Sequence, residues 1–204
     1  MGKQIVLVGA GSFGREVLNW LRDSQPGTEV LGFLDDTGTG GGGLPCLGPV
    51  SDYRSNPSHQ LLVTIADPRG RSEVVGRLRE RGAQFGSFIH PSSVIASSAR
   101  IGEGCILCPL SLVSVDAVLE PFVIVNVHSS VGHDVTVGAF STLSSHVDLT
   151  GFARIGERVS IGSSACVLPK VTVAEDVTIG AGAVVVRAVP PGSTLYAQPA
   201  KRLR

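Results

Sequence analysis

The chain has 204 residues, enough for one large domain or two small ones, with seventeen acidic and seventeen basic side chains and a formal net charge of zero. That balance gives no bulk electrostatic argument for nucleic acid or a membrane surface, and no apolar run reaches the length of a spanning helix. The opening MGKQIVLVGAG runs at once into a strand without signal-peptide anatomy, and Cys46, Cys105, Cys108 and Cys166 show no disulfide framework spacing. A cytoplasmic protein with reduced thiols is expected.

In chain order, Gln4–Val8 reads as a buried strand, followed by Gly9, Gly11 and Gly14 in a GxGxxG pattern and a helical stretch over Arg15–Arg22. A second strand, Val30–Leu34, ends in Asp35 and Asp36. The Gly-rich segment Thr37–Gly43 should be mobile. A third strand, Leu61–Ile65, leads through Ala66, Asp67 and Pro68 into a helix from about Arg71 to Arg81, stopped by Gly82. Alternating strand and helix imply a small α/β, Rossmann-like unit with a parallel sheet over residues 1–86. Glycines between a strand and a helix let backbone approach a phosphate at the helix N-terminus, and acidic residues closing the second strand stand near where a ribose would be held. About three strands are half of what a dinucleotide needs, so the mononucleotide end of a ligand fits better. A tight turn without ligand is the alternative.

Residues 87–204 follow a different rule. Every sixth residue from Ile89 to Val185 is Ile, Leu or Val, without a break over seventeen units. A second lattice from Ser93 to Ala183 holds only Ser, Ala, Cys and Val. Gly follows the aliphatic at Gly102, Gly132, Gly138, Gly156, Gly162 and Gly180, where corners with unusual backbone angles are expected. A fixed period of six marks a parallel β-helix: three short strands close a triangular turn of eighteen, and turns stack at ~4.8 Å. Between five and six coils are predicted. The phase puts Cys105 inside this prism, so the CxxC spacing of Cys105 and Cys108 implies neither redox nor zinc chemistry.

VGAGSFGREV, GFLDD, LPCLGPVSD, the Asp67–Arg71 segment, IHPSSVIASSARIGEG, NVHSSVGHDVTVGAF, IGAGAVV and the closing PAKRL together resemble the hexapeptide-repeat acyltransferases. The likeness is to the branch of sialic acid O-acetyltransferases and UDP-4-amino-sugar N-acetyltransferases. It implies a left-handed β-helix, a homotrimer, and acetyl-CoA as co-substrate, with no metal, nucleic acid or membrane partner. It also implies an N-terminal domain that binds a sugar nucleotide. Acyl transfer from a thioester needs a base for the nucleophile's proton and donors for the oxyanion. His133, two places after an inward Val131, points out of the prism and is the expected base, with Asp134 orienting it and Asn126 nearby. Asp134 stands where amino-sugar enzymes carry Glu, a shorter arm. By resemblance, acetyl-CoA meets Thr142, Gly151, Ser163 and Lys201, and the sugar nucleotide meets Gly9, Gly11, Ser12, Phe13, Gly14, Asp35, Asp36 and Ala66.

Phe13 and Thr142 replace histidines common in the branch, and Ala197-Gln198 replaces the usual Gly before Pro199-Ala200-Lys201; these changes suggest a different acceptor or a weaker one. His128 and His146, eighteen apart, should stack on adjacent coils. With His133 they resemble part of the three-His zinc site of γ-class carbonic anhydrases, but the third ligand position is Ser92 and the coil between carries Leu110, so zinc is not expected. Acceptor alternatives are a nucleotide-linked amino sugar, acetylated on nitrogen, or a free sugar such as sialic acid, acetylated on oxygen.

Overall fold

The computed structural model describes residues 4–38 and 40–198. Lys201 and the Pro199-Ala200-Lys201 motif lie outside them. The N-terminal unit is a four-stranded parallel sheet in the order β3-β2-β1-β4, built from β1 (Gln4–Val8), β2 (Val30–Leu34), β3 (Cys46–Gly48) and β4 (His59–Val63). Its helices are α1 (Ser12–Ser24) and α2 (Pro68–Glu80). Both helices begin three residues earlier than their apolar pattern suggests. Pro68 is pre-set for a first helical position, and the Asp67 carboxylate caps α2 by accepting from the Gly70 amide at 2.6 Å.

The strand β3 has no strong sequence signal, because Cys46-Leu47-Gly48 is short and ends in glycine. Within the Gly-rich segment expected to be mobile, Gly41 and Gly42 lie against α1. Arg22 Nη1 donates to the Gly42 carbonyl at 2.8 Å, and a side chain at Gly41 would meet Arg15. Gly14 is needed for packing, since a Cβ there would stand 2.1 Å from the Gly9 carbonyl oxygen. Gly11 faces open space.

The rest of the described chain is a left-handed parallel β-helix. Eighteen two-residue strands, from β5 (Phe88–Ile89) to β22 (Thr194–Leu195), form three parallel sheets of five, seven and six strands. Register is i to i+18: Val131 pairs Leu149, and Leu143 pairs Ile161. The aliphatic lattice and the small-residue lattice together make one buried core from Cys105 to Val189. Burial pushes the Cys105 thiol up to about 11, which keeps it inert.

The corners do not follow the expected rule. Left-handed backbone occurs at twelve non-glycine residues spaced by six, from Leu110 to Asp176, each just before a small-lattice residue. The glycines that follow the aliphatics have ordinary φ. Their reason is close approach between coils: a Cβ at Gly138 would lie 2.4 Å from the Gly156 carbonyl carbon, and one at Gly102 would lie 2.6 Å from the Pro121 nitrogen. Gly138→Ala should therefore cost about 1–3 kcal/mol of stability, as overpacking does. Lys170→Gly, at a left-handed and exposed corner, should stay within about 0.5 kcal/mol. Denaturant melts of the two variants check this, and the opposite order would show that backbone angle rather than space governs these glycines.

The two units share a core. On the seven-stranded sheet the outward positions Phe88, Ile106 and Ile124 are buried against Ile5, Leu7, Phe13, Val17, Leu21 and Leu62. Higher on the same face the outward residues are Thr142, Ser160, Thr178 and Thr194, and the apolar contact ends. Burying each large side chain contributes about 1.5–3 kcal/mol. The outward row of the six-stranded sheet is uncovered and includes exposed Val94, Leu112 and Val184; Leu110, Val115, Phe152 and Val186 are exposed at its corners. No helix among the described residues is long and apolar enough to cross a membrane.

Candidate active site

His133 and Asp134 are the two residues of one prism corner, between the six-stranded and five-stranded sheets. Asp134 has φ 58°, a left-handed angle that Asp tolerates better than most residues. That turn brings its carboxylate back to the imidazole: His133 Nδ1 lies 2.9 Å from Asp134 Oδ2. The short Asp arm therefore reaches. With Nδ1–H donated to a carboxylate, the neutral ring presents Nε2 as the proton acceptor. Both side chains are about half exposed, so the pair orients the ring more than it stabilises the fold.

The next coil shapes the space around the ring. A Cβ at Gly151 would stand 2.5 Å from His133 Nε2 and Cε1, so only glycine lets the imidazole lie over that corner. Phe152 meets the ring edge-on at 5.1 Å between centroids, and its amide donates to the His133 carbonyl at 3.0 Å.

Asn126 is on a different corner, between the seven-stranded and six-stranded sheets, and its Oδ1 accepts from the Val127 amide at 2.7 Å. The chain does not bring it to its own His133. Ser163 is exposed on Asn126's corner two coils higher. His128 and His146 stack there as their spacing requires, with ring centroids 4.9 Å apart and planes 1° from parallel. The two corners border the uncovered six-stranded face.

Thr142, expected beside the thioester, is buried in the joint between the units. Its hydroxyl donates to the Ala66 carbonyl at 2.8 Å and accepts from Arg71 Nη2 at 2.9 Å. Among the expected acceptor contacts, Gly9, Asp35 and Asp36 line a cavity of about 190 Å³ with Val8, Leu34, Thr37, Val50, Ile65 and Val74. The aspartates spend their oxygens within the protein. Asp35 accepts from the Ala10 amide at 2.7 Å and from the Thr37 amide at 2.8 Å, and Asp36 accepts from the Val50 amide at 2.7 Å and pairs with Arg77 at 3.2 Å. Burial is the largest single influence on the Asp35 carboxyl and raises its pKa. The bonds from Ala10 and Thr37 outweigh it, and the net position is below the ordinary range.

Gly11 is the N-cap of α1, without a side-chain cap, and Ser12 is exposed in the first turn. Phe13 is buried in the shared core with Val17 and Phe33. Gly14 is buried against the Gly9 carbonyl. Ala66 is exposed, its carbonyl bound by Arg71 and Thr142.

Sequence reasoning assigned no role to Arg71. It is completely buried, yet no carboxylate lies within ion-pair distance among the described residues. The signal was present in the DPxxR spacing after β4, where an arginine one helical turn past the cap is aimed back at the strand end.

Residues 4–78 match the PglD N-terminal domain, and residues 152–187 match the bacterial transferase hexapeptide family of six repeats. Among solved structures, the acetyltransferase domain of PglB from Neisseria gonorrhoeae FA1090 is 33% identical, with a TM-score of 0.90 over 99% of this chain and 100% of that one. The same domain has been solved in complex with acetyl coenzyme A, and that structure has a TM-score of 0.89. PerB from Caulobacter crescentus, in complex with CoA and GDP-perosamine, is 31% identical, with a TM-score of 0.88 over 97% of this chain and 96% of that one. WeeI from Acinetobacter baumannii AYE is 27% identical, with a TM-score of 0.69. With both units matched and the likeness running end to end, the chain belongs to the hexapeptide-repeat acyltransferases, in the sialic acid O-acetyltransferase and UDP-4-amino-sugar N-acetyltransferase branch.

Proposed function

We propose that the protein transfers the acetyl group of acetyl-CoA to the amine of a nucleotide-linked amino sugar, with His133 as general base. The observation that carries this is the His133–Asp134 pair, which fixes Nδ1–H on the carboxylate and leaves Nε2 free over Gly151. In this reading the sugar amine attacks the thioester carbonyl while Nε2 takes its proton. The oxyanion that forms is met by backbone N–H, for which the Gly151 amide beside Nε2 is the candidate. Collapse breaks the C–S bond, and the imidazolium returns its proton to the leaving thiolate. Gly151 and Ser163, with Lys201, belong to the acetyl-CoA surface; Thr142 contributes through the joint.

The acceptor's nucleotide occupies the cavity at Gly9, Asp35 and Asp36, with its phosphates toward Gly11 and Ser12. The PglB domain solved with acetyl coenzyme A and the PerB structure solved with CoA and GDP-perosamine support both halves of the reading. Acetyl transfer to UDP-, dTDP- and GDP-linked amino sugars, followed by release of free CoA thiol, tests it. Transfer to free sialic acid but to none of the three would overturn the acceptor assignment.

A trimer completes this site. The uncovered six-stranded face has the His133 corner on one edge and the Asn126, His128 and His146 corner on the other, with exposed Leu112, Val115 and Phe152 between and beside them. Threefold packing through this face sets one copy's Asn126 corner against the next copy's His133 and covers the apolar row. Light scattering at micromolar concentration should give about three times the 21.1 kDa chain mass. A monomer mass with full activity would remove the shared site.

A further inference from the structure

Among the described residues, the only fully buried charge lies where the two units meet. Arg71, on the first turn of α2, extends its guanidinium into the corner of the prism between the five-stranded and seven-stranded sheets. Nε donates to the Phe122 carbonyl at 3.1 Å. Nη1 donates to the carbonyls of Ile65 and Ala66 at 2.5 and 3.0 Å. Nη2 donates to the Phe140 and Ser141 carbonyls at 2.5 and 3.2 Å and to Thr142 Oγ1 at 2.9 Å.

Two of these acceptors, Ile65 and Ala66, belong to the segment after β4, and Ile65 also lines the nucleotide cavity. The other four come from two successive coils of the prism. A guanidinium has rigid, planar donors aimed in several directions, and this set uses all three nitrogens. Burial lowers its pKa to about 9, so it remains charged at neutral pH.

Around it the two coils present Phe122 and Phe140 with rings stacked at 5.2 Å, closed by Phe85 edge-on to Phe122 at 5.0 Å. The joint is thus polar at one point and apolar around it. Apolar packing tolerates sliding, whereas five directed N–H groups shared among six acceptors fix one arrangement.

We propose that Arg71 is a positioning residue for acetyl transfer: it locks the nucleotide-binding unit to the prism at one orientation, so that the acceptor's amine is delivered to the base. This rests on the function proposed above. The chemistry is sensitive to such placement, because a displacement of about 1 Å far from the reacting atoms can cost ~10²-fold in rate.

The test uses the full chain and two variants. Arg71→Lys keeps the charge but cannot reach acceptors on both coils and on the strand end together; Arg71→Met keeps the length without donors. Both should retain the wild-type assembly and bind acetyl-CoA, UDP, dTDP and GDP with dissociation constants within about threefold of wild type. Turnover of the sugar nucleotide should fall by ~10² in Arg71→Met, with partial recovery in Arg71→Lys. Amide exchange should quicken at least about tenfold in residues 61–67 and 138–142 and stay unchanged in residues 154–167.

Normal turnover in Arg71→Met would overturn the proposal. So would loss of CoA binding in step with activity, or exchange that quickens over the whole chain, since these are what a general stabilising residue gives. The exchange pattern is read without a substrate. A wild-type protein that acetylates no sugar nucleotide therefore counts against the proposed function, while local exchange still decides whether Arg71 locks the joint.

Discussion

Replacing His133 by Ala should lower kcat by ~10²–10⁴, the range for loss of a positioned general base, and leave acetyl-CoA affinity nearly unchanged. The ring is half exposed and its loss opens no core cavity, so the variant should melt with wild type. Asp134→Asn keeps the side-chain length but replaces the carboxylate with a neutral amide. That should cost less than His133→Ala, because Nε2 is still present and the orientation and polarisation of the ring are secondary to it. Steady-state kinetics on the three proteins, with calorimetric binding of acetyl-CoA, check the order. Full activity in His133→Ala with loss in His146→Ala would move the site to the stacked histidine corner.

A valine at Gly11 should raise the acceptor KM strongly, by an order of magnitude or more, and leave the KM for acetyl-CoA where it was. Such selective loss is what removal of a ground-state contact gives. The structure makes this a cleaner experiment than the sequence promised. A Cβ at Gly11 meets no protein atom within 4 Å, whereas one at Gly14 collides with the Gly9 carbonyl at 2.1 Å. The first variant should fold and obstruct only what comes to the helix N-terminus; the second should unfold the turn. Nucleotide titration and acetyl-CoA titration of Gly11→Val separate the outcomes. If the acceptor KM does not move, the turn is a fold element and no phosphate sits there.

The prism was legible because its rule is one-dimensional. Each aliphatic sees the same interior, so a six-residue period survives in the sequence with no knowledge of what surrounds it. The outward placement of His133 was legible for a related reason, since the phase of Val131 dictates that the residue two places on points outward. What could not be read was everything that depends on a second surface. The outward series Phe88, Ile106, Ile124 and then Thr142, Ser160, Thr178 records where the N-terminal unit lies, but it becomes meaningful only when that unit is in place. Arg71 and Thr142 needed the same knowledge, because their partners across the joint are 51 to 76 residues away. Phe13 was named as a ligand contact by resemblance, and its burial in the shared core could not be read without that second surface. The corner glycines misled for a subtler reason. Glycine answers two different demands, left-handed backbone and close approach, and only the distance to the next coil tells which one is at work.

The corners have a bearing on how such an enzyme can change its substrate over time. The left-handed positions carry Leu, Asp, Phe, His, Arg, Ser and Lys in turn, so they accept almost any side chain. Apart from Phe122 and Phe140, which pack in the joint, each is a separate mounting point on a repeating frame. Exchanging one alters what is displayed at that level and leaves the rungs above and below intact. Whole coils are equally modular: removing eighteen residues from the end beyond Ser163 would shorten the prism but keep every remaining register. Taking the eighteen residues 139–156 would instead remove Phe140, Ser141 and Thr142, which accept from Arg71, along with the upper histidine. The lower and middle coils are thus constrained by buried contacts with two neighbours at once, while the upper ones, touched by the exposed Arg69–Asp176 pair, are freer to lengthen, shorten or be redecorated.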